Sequence, residues 1–192
     1  GYAGTSMAAL AQAAGIQKAT LYHHFPNKEA LFVACVTEGF DAGTEELKRI
    51  RDADNLSPSA KLSSAIDELQ RLIVRSPVGR MSPIIAEVAA TLPSVGVAFH
   101  TGFIDRQHDV LDAIIAEGVA TGEFEKHGEQ GIRYIVLGPL VSLSLSVQML
   151  ERSAEKSRLL DVERVCQESK SAIMRLMRKP SADPQAETTP RG

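Results

Sequence analysis

Residues 8–32, AALAQAAGIQKATLYHHFPNKEALF, decide how this chain is read. The stretch divides into short helical segments at Gly15 and Pro26. A small residue at Ala11, a glycine four positions later and an aliphatic Leu21 are what two helices crossing at a steep angle require. Ala11 leaves room, Gly15 makes the turn that side-chain-bearing residues resist, and Leu21 fills the angle. Helices this short do not outweigh their nucleation cost in water, so packing must hold them. Thr5 or Ser6 caps the first segment, and Leu10, Ile16 and Phe25 supply apolar cover. The side left exposed carries Gln17, Lys18, Tyr22 and His23, a mix of amide, cation, phenol and imidazole suited to groove edges and phosphates.

The rest of the chain reads as helix throughout, an all-α protein. Asn27 caps a helix from Lys28 towards Arg51, and Ser57-Pro58 opens another that ends near Ser76-Pro77. Pro83 and Pro93 bound the short apolar run IIAEVAATL. A long helix follows from Ser94 to about Gly122, with Phe99, Phe103, Val110, Leu111 and Ile114 as its stripe. A last helix starts at Asp161 and places Val162, Val165, Cys166, Ile173, Leu176 and Met177 on one face. Residues 180–192 lack a periodic apolar pattern and are expected to be a disordered tail. The most apolar stretch, IRYIVLGPLVSLSLSVQML at 132–150, has apolar positions all the way round and is expected to be a kinked helix enclosed by neighbours. Arg133, Gly138-Pro139, three serines and Gln148 argue against a lipid-facing span, so no membrane partner is expected.

Composition narrows the class. The 192 residues are 44% hydrophobic with a net charge of −3, enough for one sizeable core or a core plus a small satellite. Cys35 and Cys166 lie too far apart in sequence to form a disulfide framework or a zinc motif, and a reducing cytoplasm fits. His23-His24 and His100 with His108 lack the carboxylate or thiol partners of a metal site. No glycine-rich phosphate loop follows a strand, and the adjacent carboxylates Glu45-Glu46 and Asp67-Glu68 read as solvated charge. No enzyme, metal or cofactor is expected.

The run GTSMAALAQAAGIQKATLYHHFPNKEALF resembles the helix-turn-helix of the TetR family of bacterial transcriptional regulators. Its TLYHHFPNKEAL matches the family's T-x-Y-x-H/Y-F-x-x-K-E-x-L over roughly the first 35 residues. The resemblance implies that Gln17, Lys18 and Ala19, with Thr20 beside them, start the recognition helix and reach base edges. It implies that Thr5, Tyr22, His23 and Lys28 hold the phosphate backbone, with His24 either joining them or packing with Phe25. Family members carry one further helix before this run. Its absence here would leave Leu10, Leu21 and Phe32 less shielded, and the non-methionine start points to a record that opens partway through a longer protein. Residues 1–40 set Lys18 and Lys28 against Glu29 and Glu38, so affinity for DNA would rest on local placement and on dimerisation.

The expected layout is a DNA-binding domain at 1–40, a helical ligand-binding and dimerisation domain at 41–179, and the tail at 180–192. Glu87, His100 and Gln107 are polar groups at positions expected to be buried. They either hydrogen-bond neighbouring helices or, with Met81, Phe99, Phe103, Tyr134 and Leu137, line a mostly apolar effector cavity. Helices 132–150 and 162–177 either serve the internal core or pair with their symmetry mates in a homodimer. The function expected is a ligand-responsive repressor, released from a palindromic double-stranded DNA operator by a small hydrophobic molecule. The alternative is a helical small-molecule-binding protein that no longer reads DNA.

Overall fold

Four side chains start helices by accepting a backbone N–H one turn ahead. Ser6 accepts from Ala9, Asn27 from Ala30, Ser57 from Ala60 and Asp161 from Arg164, which satisfies donors that the first turn leaves open. These caps open α1 (Met7–Ala13), α3 (Lys28–Glu38), α5 (Pro58–Gln70) and α10 (Val162–Met177). Between them lie α2 (Lys18–His24), α4 (Asp41–Arg51), α6 (Ser82–Ala89), α7 (Pro93–Phe99), α8 (Asp105–Ala120) and α9 (Glu129–Leu150). The computed structural model describes residues 1–38, 41–77, 79–150 and 160–179, and those residues form an all-α fold. The proposed tail lies outside them. So do residues 39 and 40, where the single helix expected from Lys28 to Arg51 would join α3 to α4.

Two departures from regular helix were not foreseen. α5 runs into a π turn at Arg71–Arg75, and a second π turn, His100–Ile104, joins α7 to α8 inside the long helix expected after Ser94. A π turn inserts extra backbone per revolution and so rotates the side chains beyond it, an effect that no local propensity announces.

The main core joins the faces of α5, α8, α9 and α10. Leu62, Ile66 and Leu69 meet Val110, Leu111 and Ile114, with Val136 and Leu140 from α9 and Cys166, Ile173 and Met177 from α10. Each large aliphatic buried here contributes about 1.5–3 kcal/mol from removal of its surface from water. Burial pushes the Cys166 thiol up, with the nearby Arg75 opposing that effect. Two polar groups in this core are paired: the buried Lys61 ammonium bonds Glu117 at 2.8 Å, and Gln70 donates to the Cys166 carbonyl at 2.9 Å. The loop after α8 is pinned by the buried Phe124, by Glu125 N–H to the Met177 carbonyl at 2.9 Å, and by Lys179 N–H to the Glu123 carbonyl at 3.3 Å.

A second cluster, Val36, Ile85, Val88, Val95 and Phe103, packs α3 against α6, α7 and the π turn. The third and smallest is Met7, Ala11 and Leu21 with Leu10, Phe25 and Leu31 around it, between α1, α2 and the start of α3.

α9 is long and apolar enough to cross a membrane by length and composition, with mean hydropathy 1.4 over its best window. One side sits in the core through Ile132, Val136, Leu140 and Leu143, and Arg133 on it lies 2.9 Å from Asp112. The expectation that α9 is enclosed on all sides is corrected for the single chain. Among the described residues, Tyr134, Ile135, Val141 and Met149 are exposed on the opposite side.

Candidate nucleic-acid interface and effector region

Gly15 holds φ at +67°, a conformation that costs an L side chain strain, and it is the turn between α1 and α2. Its N–H donates to the Gln12 carbonyl and that of Ile16 to the Ala11 carbonyl, which closes the bend. Ala11 and Leu21 are buried at the crossing, as their spacing requires, while Ile16, expected to give cover, is exposed. Ser6 caps α1; Thr5 instead donates its hydroxyl to the Gly1 carbonyl at 2.8 Å.

Leu21 is the buried anchor of α2, and the remaining positions of that helix face water. Gln17 stands at its N-cap with an extended backbone, and Lys18, Ala19, Thr20, Tyr22 and His23 are exposed along it. The Lys18 ammonium lies 5.6 Å from the Tyr22 ring centroid, one helical turn away. His23 and His24 meet edge to face at 5.4 Å. A short helix propped on one leucine thus offers a continuous polar edge with a cation and an aromatic at its centre.

Lys28 is placed differently. Its ammonium donates to the carbonyls of Tyr2 at 2.7 Å and Thr5 at 3.0 Å and sits 4.2 Å from the Tyr2 ring centroid. Tyr2 in turn packs edge-on against Phe32 at 5.1 Å, and its phenol is pushed up by burial and by the Glu29 charge. The Lys28 ammonium thus clasps the opening segment onto α3 through the Tyr2 and Thr5 carbonyls. Sequence spacing carried no signal for this clasp, because it joins residues more than twenty positions apart.

The bridge to the larger domain was likewise invisible in the sequence. Ser94 Oγ at the start of α7 donates to Glu29 on α3, and Arg106 on α8 pairs with Asp41 on α4. One face of the α7–α8 rod thereby touches both helices that lead from the reader.

The residues proposed to line an effector cavity fall into separate groups. Phe99 and Phe103 stack at 5.2 Å and belong with Met81 to the second cluster, whereas Leu137 lies in the main core. Glu87, His100 and Tyr134 are corrections, since all three face outward. α6 buries Ile85 and Val88, which turns Glu87 to solvent. The π turn rotates His100 off the stripe, where it pairs with Asp105 at 3.0 Å. Tyr134 is 68% exposed on the outer side of α9.

Gln107 remains inside. It is 3% exposed, and its amide nitrogen has no hydrogen-bond partner among the described residues. It heads the inward stripe of α8 just after the π turn, close in sequence to both Phe103 of the second cluster and Val110 of the main core. Beside it His108 is also buried. Desolvation, then the Arg133 charge, holds its imidazole below the usual histidine range, and its ring meets Tyr134 at 6.2 Å.

Against this geometry, residues 1–35 match the family model described as bacterial regulatory proteins, tetR family. Among curated proteins, the chain is 27% identical over 123 residues to the HTH-type transcriptional repressor KstR of Mycolicibacterium smegmatis. That match covers 64% of this chain and 57% of KstR, so the aligned part spans little more than half of that relative. Two solved structures share its fold. FadR from Bacillus subtilis, in complex with stearoyl-CoA, superposes with a TM-score of 0.72 at 16% identity, covering 92% of this chain and 91% of FadR. AibR, in complex with isovaleryl coenzyme A and operator DNA, gives 0.63 at 22% identity, covering 90% and 88%. KstR and FadR are both described as transcriptional regulators.

Proposed function

We propose that this chain is a ligand-responsive, DNA-binding transcriptional repressor of a palindromic operator, released by a small hydrophobic effector. The reading rests on the α2 edge: Gln17, Lys18, Ala19, Thr20, Tyr22 and His23 are exposed on a helix whose fixed point is buried Leu21. An amide and a cation at its start fit base edges in the major groove, and the phenol and imidazole one turn on fit phosphate oxygens. In this reading Thr5 and Lys28 act indirectly, by holding the opening segment onto α3. Residues 1–40 form the reader and residues 41–179 the effector-binding and dimerisation domain, working in the cytoplasm.

Dimerisation supplies the second reader. The outward side of α9, with Tyr134, Ile135, Val141 and Met149, and Leu176 on α10 are apolar groups left in water by the single chain. Pairing with the same helices of a second copy would bury them and set two α2 helices on one side of a duplex.

Effector binding is supported by Gln107, whose buried amide finds no acceptor among the described residues. A carbonyl-bearing, largely apolar molecule between Phe103 and Leu111 would satisfy it. Acyl-CoA thioesters are the first class to test, since the FadR and AibR structures hold them. Movement of the α7–α8 rod would pass to the readers through Ser94–Glu29 and Arg106–Asp41.

A mobility-shift titration against the DNA upstream of its own gene, with and without acyl-CoA, tests the proposal. A specific, salt-sensitive complex that acyl-CoA dissolves is expected. Acyl-CoA binding with no DNA complex would favour the alternative, a small-molecule-binding protein that has lost DNA reading.

A further inference from the structure

We propose a second ligand site in this chain, for a medium-chain carboxylate, in a groove on the outer face of α8. The groove has a volume of about 410 Å³ and is lined by Ile115, Ala116, Val119, Ala120 and Ile132, with Asp112, Lys126 and His127 also contributing to its walls. Asp112, Ala116, Val119 and Ala120 recur at helical spacing on the side of α8 opposite the inward stripe of Gln107, Leu111, Ile114 and Gly118. The site is therefore separate from the effector region proposed around Gln107.

Three features select the ligand. The floor is aliphatic, and the two alanines leave a trough beside Val119. The rise of α8 from Asp112 to Ala120 makes it roughly 12 Å long, enough for an extended acyl chain. The charge at the groove is positive. Asp112 lies 2.9 Å from Arg133 Nε and is countered by it, which leaves the Lys126 ammonium to set the sign. His127 Nε2 lies 3.2 Å from the Leu176 carbonyl, which ties the ring to α10. The polar wall is also built before any ligand arrives. Lys126 and His127 stand on the loop that Phe124, Glu125 and Lys179 strap to the end of α10, so little ordering accompanies binding.

The test is isothermal titration of the full chain with octanoate, 1-octanol and acetate. Saturable octanoate binding and no measurable acetate binding are expected. Lys126→Met should weaken octanoate about fivefold, the worth of a partly exposed ion pair, while leaving octanol unchanged. Ala116→Phe or Ala120→Phe, both at exposed positions, should fill the trough and abolish binding of octanoate and octanol alike. Gln107→Leu should leave octanoate binding intact. Absence of octanoate binding, equal binding of acetate, insensitivity to the phenylalanine variants, or loss of binding in Gln107→Leu would each overturn the proposal. None of these readouts depends on DNA or acyl-CoA binding, so failure of the regulator reading would be seen separately.

Discussion

The ring of Phe124 occupies the space that a β-carbon on Gly118 would need. The glycine lets the loop after α8 fold back against its own helix and plug the main core, where Phe124 is 2% exposed. Gly118→Ala should force the ring out and destabilise the chain by about 1–3 kcal/mol, although alanine is the better helix former. Urea unfolding followed by circular dichroism measures this, and unchanged stability would mean that the ring is not seated there.

At Gly15 the demand is on the backbone. An L side chain at φ +67° costs about 1–2 kcal/mol, and the space around the position is open, so strain is the whole effect. Gly15→Ala should loosen α1 and α2 with little change in the main core. Hydrogen exchange should show faster exchange at Leu21 and Phe25 amides while α5 and α8 keep their protection.

The proposed roles along α2 separate by experiment. Lys18→Gln should reduce the salt dependence of DNA binding by about one counterion and shift preference among operator sequences. Tyr22→Phe, which removes only the hydroxyl, should weaken all sequences alike. Lys28→Met should lower the stability of the reader and weaken binding without changing sequence preference, because its ammonium already bonds Tyr2 and Thr5.

His108 gives a pH dependence of defined sign. Burial lowers its affinity for a proton in the fold, while the unfolded chain titrates near 6.5. The unfolded state therefore binds the proton more readily, and stability falls as pH drops below about 6.5, levelling once the folded histidine is also protonated. His108→Gln should lack this component. Urea midpoints at pH 8 and pH 5 for both proteins check it; an equal loss in the variant would assign the effect elsewhere.

On α9, Val141→Glu and Met149→Glu place charge on the outward apolar side without touching the buried one. Sedimentation should report a dimer for the parent chain and a folded monomer for the double variant. A monomer in both would reject the pairing surface.

Much of the fold was legible because caps, prolines and glycines act locally. Asn27, Ser57 and Asp161 start helices where their side chains can reach an N–H three residues on, and Gly15 bends because other residues resist that φ. The buried pair Ala11 and Leu21 followed from spacing alone. The effector set was less legible: a straight-helix projection put His100 on the inner stripe, but the π turn just after Phe99 turned it out. Glu87 was misplaced because an apolar run was taken as buried throughout, although α6 has only one inner face.

By itself, then, the amino-acid sequence determined the all-helical architecture, the bend at Gly15 and the polar character of the α2 edge, since each depends on residues within about one turn of one another. Only the tertiary structure decided that Lys28 holds the opening segment, that Gln107 is left inside without an acceptor among the described residues, and that α9 keeps one apolar side exposed. Those outcomes come from contacts between distant segments and from rotations accumulated along helices, which local patterns do not encode.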